Sequence, residues 1–275
     1  MIINVKDAPY NAQGNGVTID SSSISSALSA AAGAPYGAIV YFPPGVYLID
    51  RPIEMLAGVY MRGEYYSTVL KANSSFNNNR GRYMIRNWKD SDFPSNPVSY
   101  LSAPLTTSSP NYVPYIENFY LDLNDVLGVS GIGWVHMQEA GLIQNIVIRK
   151  PNNSLGIYLT RNNDTEGSIN GGYINKITFY SPGLYPSGFI SHIKIAHEDG
   201  VSSVGSDIHI ANLTTAPVKC KESVFHFQGL IDLTLDNIHC EAYVDPDVSG
   251  TNLDHVFDRA SQIINGKIKF RNDFV

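Results

Sequence analysis

The sequence predicts an all-β fold, a solenoid of short parallel strands stacked as rungs behind one N-terminal helix. Three observations carry that expectation. The first is internal repetition. Ile116-Glu117-Asn118-Phe119-Tyr120-Leu121-Asp122, Ile143-Gln144-Asn145-Ile146-Val147-Ile148-Arg149 and Ile174-Asn175-Lys176-Ile177-Thr178-Phe179-Tyr180 follow one pattern, continued more loosely by Ile208-His209-Ile210, Leu230–Asp236 and Ile264–Phe270. Anchored on Phe119, Ile146, Ile177, Ile208 and Leu233, the steps are 27, 31, 31 and 25 residues, a length that fits a stacked structural repeat. The second is Ala38–Asp50, where an apolar strand runs into Pro43-Pro44-Gly45 and a second apolar strand leaves it. Neither proline has an N–H for a sheet ladder, so the pair marks a corner between strands. The third is composition: 16% of residues are charged, against roughly 25% in an average domain.

Taken in order, Met1–Asp7 opens on a short apolar run. Ser21–Gly33 reads as the one helix, with Asp20 or Ser21 as cap, Ile24, Ala27, Leu28 and Ala31 on one face, and Gly33 at its end. A stack of rungs has an apolar end, and a short amphipathic helix covers it. Strands follow at Ala38–Phe42, Val46–Ile49 and Ile53–Met61. From Asn73 to Pro114 the pattern is lost; prolines at 94, 97, 104, 110 and 114 suggest a long excursion from the stack. The rungs resume at Tyr115. One domain over 1–275 thus divides into a cap (1–36), first rungs (37–72), an excursion (73–114) and further rungs (115–275).

A net charge of −6 excludes a basic nucleic-acid footprint, and any anionic ligand needs local cations. No run approaches ~20 apolar residues, so no membrane insertion is expected. The N-terminus lacks the basic and apolar regions of a signal peptide. Cys220 and Cys240 read as small core thiols in preference to a disulfide.

Strand alternation puts Asp122, Arg149 and Tyr180 in one outward column on successive rungs, with Asp236 two rungs further on. Rungs are ~4.8 Å apart. A carboxylate, a guanidinium and an aromatic in such a column suit a sugar chain lying along the stack; they equally suit an ordinary surface ion pair. Asp164 and Glu166, in the polar loop Arg161–Gly167, are paired carboxylates of the kind that act on glycosidic bonds or hold Ca²⁺; a plain solvated loop is the simpler reading of the same residues. Trp134, Tyr158 and Tyr180 are candidate platforms for sugar rings, in a chain whose aromatics mostly read as core or as stacks between rungs. His197-Glu198-Asp199 and His239-Cys240-Glu241 do not make a zinc site, and no other metal or cofactor is expected.

Asn4-Val5-Lys6-Asp7, Gly14-Asn15-Gly16-Val17-Thr18, the Ser/Ala-rich helix, Val40–Ile49, Gly58-Val59-Tyr60-Met61-Arg62-Gly63-Glu64 and Thr68-Val69-Leu70 stand in an order that resembles the N-terminal part of the pectate lyase superfamily. That resemblance implies a right-handed, single-stranded parallel β-helix of the kind found in polysaccharide lyases and phage tailspikes. The Asn-Thr-Asp, Asp-Asp, Gly-His-Gly and Arg-Ile-Lys blocks of polygalacturonases and the Trp-Ile-Asp-His block of pectate lyases are absent, so no catalytic residue carries over. The resemblance implies a virion or extracellular domain of phage tailspike or appendage type. Such a domain is a homotrimer that binds a host polysaccharide and depolymerises it as a lyase or glycoside hydrolase. The alternatives are a secreted bacterial lyase or hydrolase and a non-catalytic, adhesive β-helix.

Overall fold

The computed structural model describes residues 1–76, 82–89, 92, 113–138, 140–161, 169–181, 188–197, 205–218, 220–228, 231–242, 257–259 and 268–271. Its strands are β1 (Ile2–Asn4), β2 (Asn15–Ile19), β3 (Ala38–Tyr41), β4 (Gly45–Ile49), β5 (Ile53–Glu54), β6 (Val59–Arg62), β7 (Thr68–Ala72), β8 (Tyr83–Arg86), β9 (Tyr115–Asp122) and β10 (Ser130–Val135). They continue as β11 (Leu142–Arg149), β12 (Ser154–Arg161), β13 (Ile169–Tyr180), β14 (Phe189–His197), β15 (Gly205–Val218), β16 (Cys220–Gln228), β17 (Ile231–Ala242), β18 (Phe257–Arg259) and β19 (Ile268–Arg271). All pair in parallel, in two sheets. A twelve-stranded sheet runs β1-β3-β6-β9-β11-β13-β15-β17-β19, with β2, β4 and β7 joining it through β9. A seven-stranded sheet runs β18-β16-β14-β12-β10-β8-β5. From β7 onward sequential strands alternate between the sheets, which is the path of a parallel β-helix.

The repeat works because each long strand turns a corner on one residue. Asn118, Asn145, Lys176, Asn212 and Asn237 all have φ between 51° and 66°. In that left-handed region the strand bends without a loop, and asparagine tolerates it better than most side chains. The corner tightens along the stack. Between β3 and β4 it is Phe42-Pro43-Pro44. Between β6 and β7 it is Gly63 and the 3₁₀ turn Tyr65–Ser67. In β9 it is Asn118 alone. Gly63 is required where the second and third corners meet, since a Cβ there would lie 2.4 Å from the Asn118 carbonyl oxygen. Asn145 Nδ2 donates to Asn118 Oδ1 at 2.9 Å, and Asn237 Nδ2 to Asn212 Oδ1 at 2.7 Å. Where Lys176 interrupts the series, Asn212 Nδ2 reaches Asn175 Oδ1 at 2.8 Å.

These corners set the register and revise the repeat lengths. Ile177 pairs with Leu213, not Ile208, and Leu213 pairs with Ile238. The third step is therefore 36 residues, not 31. Ile208-His209-Ile210 offers the same alternation, but Ile208 lies five residues before Leu213, the true counterpart of Ile177; only Asn212 marks the corner.

Two further expectations are revised. Tyr83–Arg86 is a strand of the seven-stranded sheet, so the stack continues inside the expected excursion. The helix α1 (Ser21–Ala32) buries Ser21, Ile24, Ala27, Leu28 and Ala31 against the first rungs, but Asp20 makes no side-chain cap. Its carboxylate instead accepts from the Gln13 and Gly14 N–H groups, at 2.7 and 3.0 Å. Gly33 keeps φ −76° and ends the helix without a left-handed turn.

The interior is apolar throughout, from Val40 and Phe42 to Leu235 and Ile238. A histidine ring is also enclosed in it. His192 is 1% exposed, stacks on Phe179 at 4.6 Å and 1°, and meets Phe189 edge-on at 4.8 Å. Burial pushes its pKa down to about 3, because an imidazolium there would lack solvation. Among the described residues no helix is long and apolar enough to cross a membrane.

Asn145→Ala is expected to cost about 2 kcal/mol in urea denaturation, roughly half for alanine at positive φ and half for the lost inter-rung bond. Asn145→Gly should recover only the backbone part. Between the ordinary histidine value of about 6.5 and about 3, the unfolded chain takes up a proton that folded His192 refuses. Stability therefore falls as pH drops through that window, by about 2 kcal/mol at pH 5. His192→Phe should flatten the loss between pH 7 and pH 5 by that amount; an unchanged slope would assign the acid sensitivity elsewhere.

Candidate functional site

Beyond the corner, β7, β9, β11 and β13 present one outward column. Lys71 pairs with Asp122, Asp122 with Arg149 and Arg149 with Tyr180. Asp122 Oδ2 receives Arg149 Nη2 at 3.1 Å and lies 3.5 Å from Lys150 Nζ. Asp122 Oδ1 accepts the Asn124 N–H at 2.9 Å. The carboxylate is 3% exposed and engaged on both oxygens. It holds Arg149 in place and is not poised as a proton shuttle.

Arg149 and Lys150 are each about one-third exposed. The Arg149 guanidinium lies over the Tyr120 ring at 4.6 Å, and Tyr120 meets Tyr66 at 6.0 Å. Burial raises the Tyr120 pKa; the Arg149 charge opposes that rise and the Asp122 charge adds to it. The phenol thus stays protonated at neutral pH and serves as a ring face and donor. Tyr65 is pushed up to about 12 by burial and its hydrogen bond with Tyr66. With Tyr66 61% and Tyr180 43% exposed, the outer face carries aromatic platforms on both sides of a cationic centre.

The other expected residues separate. Trp134 is fully buried in the interior beside Leu159, because alternation in β10 turns it inward. Tyr158 is outward on the seven-stranded sheet but 3% exposed, with Tyr83 stacked at 6.2 Å and Lys194 Nζ over its ring at 5.4 Å. Neither is a sugar platform. Asp236 pairs with Ala211, which pairs with Asn175. It therefore lies across the corner from Asp122, in the column of Arg62, Glu117 and Gln144, where Glu117 bridges the Arg62 and Gln144 side chains. Asp164 and Glu166, and with them the proposed Ca²⁺ ligands, lie outside the described residues, as do Glu198 and Asp199. Among the described residues no three His, Cys, Asp or Glu side chains group to hold a metal ion.

The sequence reading missed a second outward column. Gly133, Tyr158, Lys194 and His226 are in register on the seven-stranded sheet, and Arg86, paired to Glu54 at 2.8 Å, begins it. The signal was the triplets Ile157-Tyr158-Leu159, Ile193-Lys194-Ile195 and Phe225-His226-Phe227, whose central residue faces out. Around Tyr158 that face is closed by a second apolar cluster that includes Tyr83, Trp88, Leu155 and Ile190, so the column is less open than the strip around Arg149.

A family model described as "Rhamnogalacturonase A/epimerase, pectate lyase-like" matches residues 2–240. No curated protein matches the chain. Among solved structures, a proposed glycosyl hydrolase from Parabacteroides merdae is 12% identical, covering 88% of this chain and 96% of its own, with a TM-score of 0.53. A Geobacillus virus E2 protein, ORF18, is 14% identical over 100% of this chain and 62% of its own, with a TM-score of 0.35. The A-module of the Azotobacter vinelandii mannuronan C-5 epimerase AlgE4 is 15% identical over 86% and 76%, with a TM-score of 0.34. At 12% identity the Parabacteroides structure speaks to the fold alone; the other two are too distant to add to it.

Asp122→Ala should destabilise the chain by about 1–3 kcal/mol in urea denaturation, because the Asn124 N–H loses its acceptor and two cations lose their counter-charge. Asp122→Asn, which keeps an acceptor for that N–H, should cost less. Equal losses in the two variants would show that the ion pairs dominate.

Proposed function

Because the chain belongs to the Rhamnogalacturonase A/epimerase, pectate lyase-like family, we propose that it binds and depolymerises an acidic polysaccharide of a host cell surface. In this reading it is a domain of phage tailspike or appendage type, active on a virion or outside the cell. The observation that carries the reading is the strip of Tyr66, Tyr120, Arg149, Lys150 and Tyr180 across successive rungs. A net charge of −6 repels polyanions overall, so attraction has to be local; Arg149 and Lys150 meet one carboxylate here, and Lys71 precedes it in the column. Inside a screening length of about 8 Å such a centre can hold a uronate or other acidic unit. A guanidinium does so in planar, two-pronged fashion. Tyrosine rings offer apolar faces with polar tips, which suit the hydroxylated edges and C–H faces of sugars.

Within this reading Arg149 neutralises a substrate carboxylate and Asp122 positions Arg149. Asp164 and Glu166 are the carboxylates proposed to act on the glycosidic bond. The absence of the pectinase blocks turns the reading away from plant pectin.

The test is incubation of the full chain with capsular, teichoic-type and neutral polymers. Reducing ends report cleavage, and ultraviolet absorbance reports the unsaturated ends that elimination leaves. Acidic polymers should be bound and cut. Arg149→Ala should weaken binding of an acidic polymer tenfold or more, about 1.4 kcal/mol, and Arg149→Lys should restore part of it. Absence of cleavage across the panel, with binding retained, would make the domain an adhesin; absence of both would sink the reading.

A further inference from the structure

Beside the strip lies a shallow, open cleft of about 600 Å³, bordered by turns of three successive rungs. Ser74, Ser75, Arg82, Asp125, Leu127 and Asn152 line it. The turns are fastened to one another. Asn124 Nδ2 donates to the Ala72 carbonyl at 3.0 Å, and Asn152 Nδ2 to the Asp125 carbonyl at 2.8 Å. Arg82 Nη1 donates to the Leu127 carbonyl at 3.1 Å. The Asp125 and Gly128 N–H groups donate to Lys150 and Asn152 carbonyls, at 2.9 and 2.7 Å. The walls are thus pre-formed, and little ordering remains to be done on binding.

The chemistry of the lining differs from that of the strip. Exposed Ser74 and Ser75, whose hydroxyls donate to Asn73 Oδ1 and keep their acceptor capacity, and half-buried Asn152, whose Oδ1 remains beside its bonded Nδ2, line the cleft together with a charge-balanced pair, Arg82 and Asp125. Leu127 adds an apolar surface that is 56% exposed. The Asp125 carboxylate is exposed and receives no hydrogen bond or ion pair from the described residues, whereas that of Asp122 is buried and engaged on both oxygens. An open carboxylate accepts hydrogen bonds from hydroxyl or amide N–H groups and repels another carboxylate.

We infer that this cleft is a second saccharide subsite, which takes a sugar unit bearing no carboxylate. The inference rests on the polysaccharide reading of the neighbouring strip. The two sites share a wall: Asn124 donates to Asp122 through its N–H, and Asp125 to the Lys150 carbonyl. One glycan chain can therefore occupy both. Asp125 then screens the unit entering the cleft, while Arg149 and Lys150 hold an acidic unit beside it.

Saturation-transfer NMR on the full chain separates the sites, with cellotriose and chitotriose as neutral probes and trigalacturonate as the acidic one. The neutral trimers should receive transfer, unchanged in Arg149→Ala. Ser74→Trp, which fills the cleft from an exposed position, should weaken them tenfold or more with an unaltered thermal melt. In an Arg149→Ala background, trigalacturonate should be rejected; adding Asp125→Asn should admit it and leave the neutral trimers bound. The inference is overturned by silence of both neutral trimers, by their indifference to Ser74→Trp, by their loss in Arg149→Ala, or by continued rejection of trigalacturonate after Asp125→Asn. A chain that cleaves no polymer yet shows this binding pattern would remove the depolymerase reading and leave the subsite standing.

Discussion

The structure depends on a strand that bends at one residue and continues. A non-glycine residue at positive φ costs on the order of 1 kcal/mol, and the chain repeats that cost at Asn118, Asn145, Lys176, Asn212 and Asn237. The side-chain amides offset much of it by donating from one rung to the previous one. Because a one-residue slip would send every inward side chain outward, the corner is also what pins the register. It allows Ile146 to sit under Phe119 and over Ile177 without a loop at each turn.

The outer columns follow from that pinning. Asp122, Arg149 and Tyr180 share a column because each lies four residues beyond its corner. Asp236 belongs elsewhere because it immediately precedes Asn237. The corner also sets the character of the Arg149 strip. It places Tyr120 between Tyr66 and Arg149, and it brings the turn at Asn124 under Asp122 so that the carboxylate has an N–H on one oxygen and cations on the other. The result is a fixed cation with an accessible face, more suited to holding an anion than to moving a proton.

The seven-stranded sheet shows the opposite use of the same geometry. Gly156 admits the Phe179 ring, which a Cβ would meet at 2.3 Å, and Phe179 in turn stacks on His192. The cost is acid sensitivity in the core. Outside, Tyr158 is closed in by Tyr83 and Lys194. An aromatic that reads as a platform on paper is there part of a second, smaller core.

The amino-acid sequence by itself determined the rung repeat, the helix at its start, the Pro-Pro corner and the outward column of Asp122, Arg149 and Tyr180. All of these are local patterns: a helical spacing, a pair of prolines without N–H groups, and, in the strands, a side-chain direction with a period of two. Where the alternation was ambiguous, as at Ile208-His209-Ile210, the phase came from the corner asparagine. The four-residue strand at Tyr83 was too short to stand out from its surroundings. Only the tertiary structure decided that Trp134 is core, that Tyr158 is covered on both faces, that Asp122 is saturated while Asp125 is open, and that turns of three rungs border an open cleft. Burial, ion pairing and clefts are relations between rungs some thirty residues apart, and the spacing of residues along one rung does not contain them.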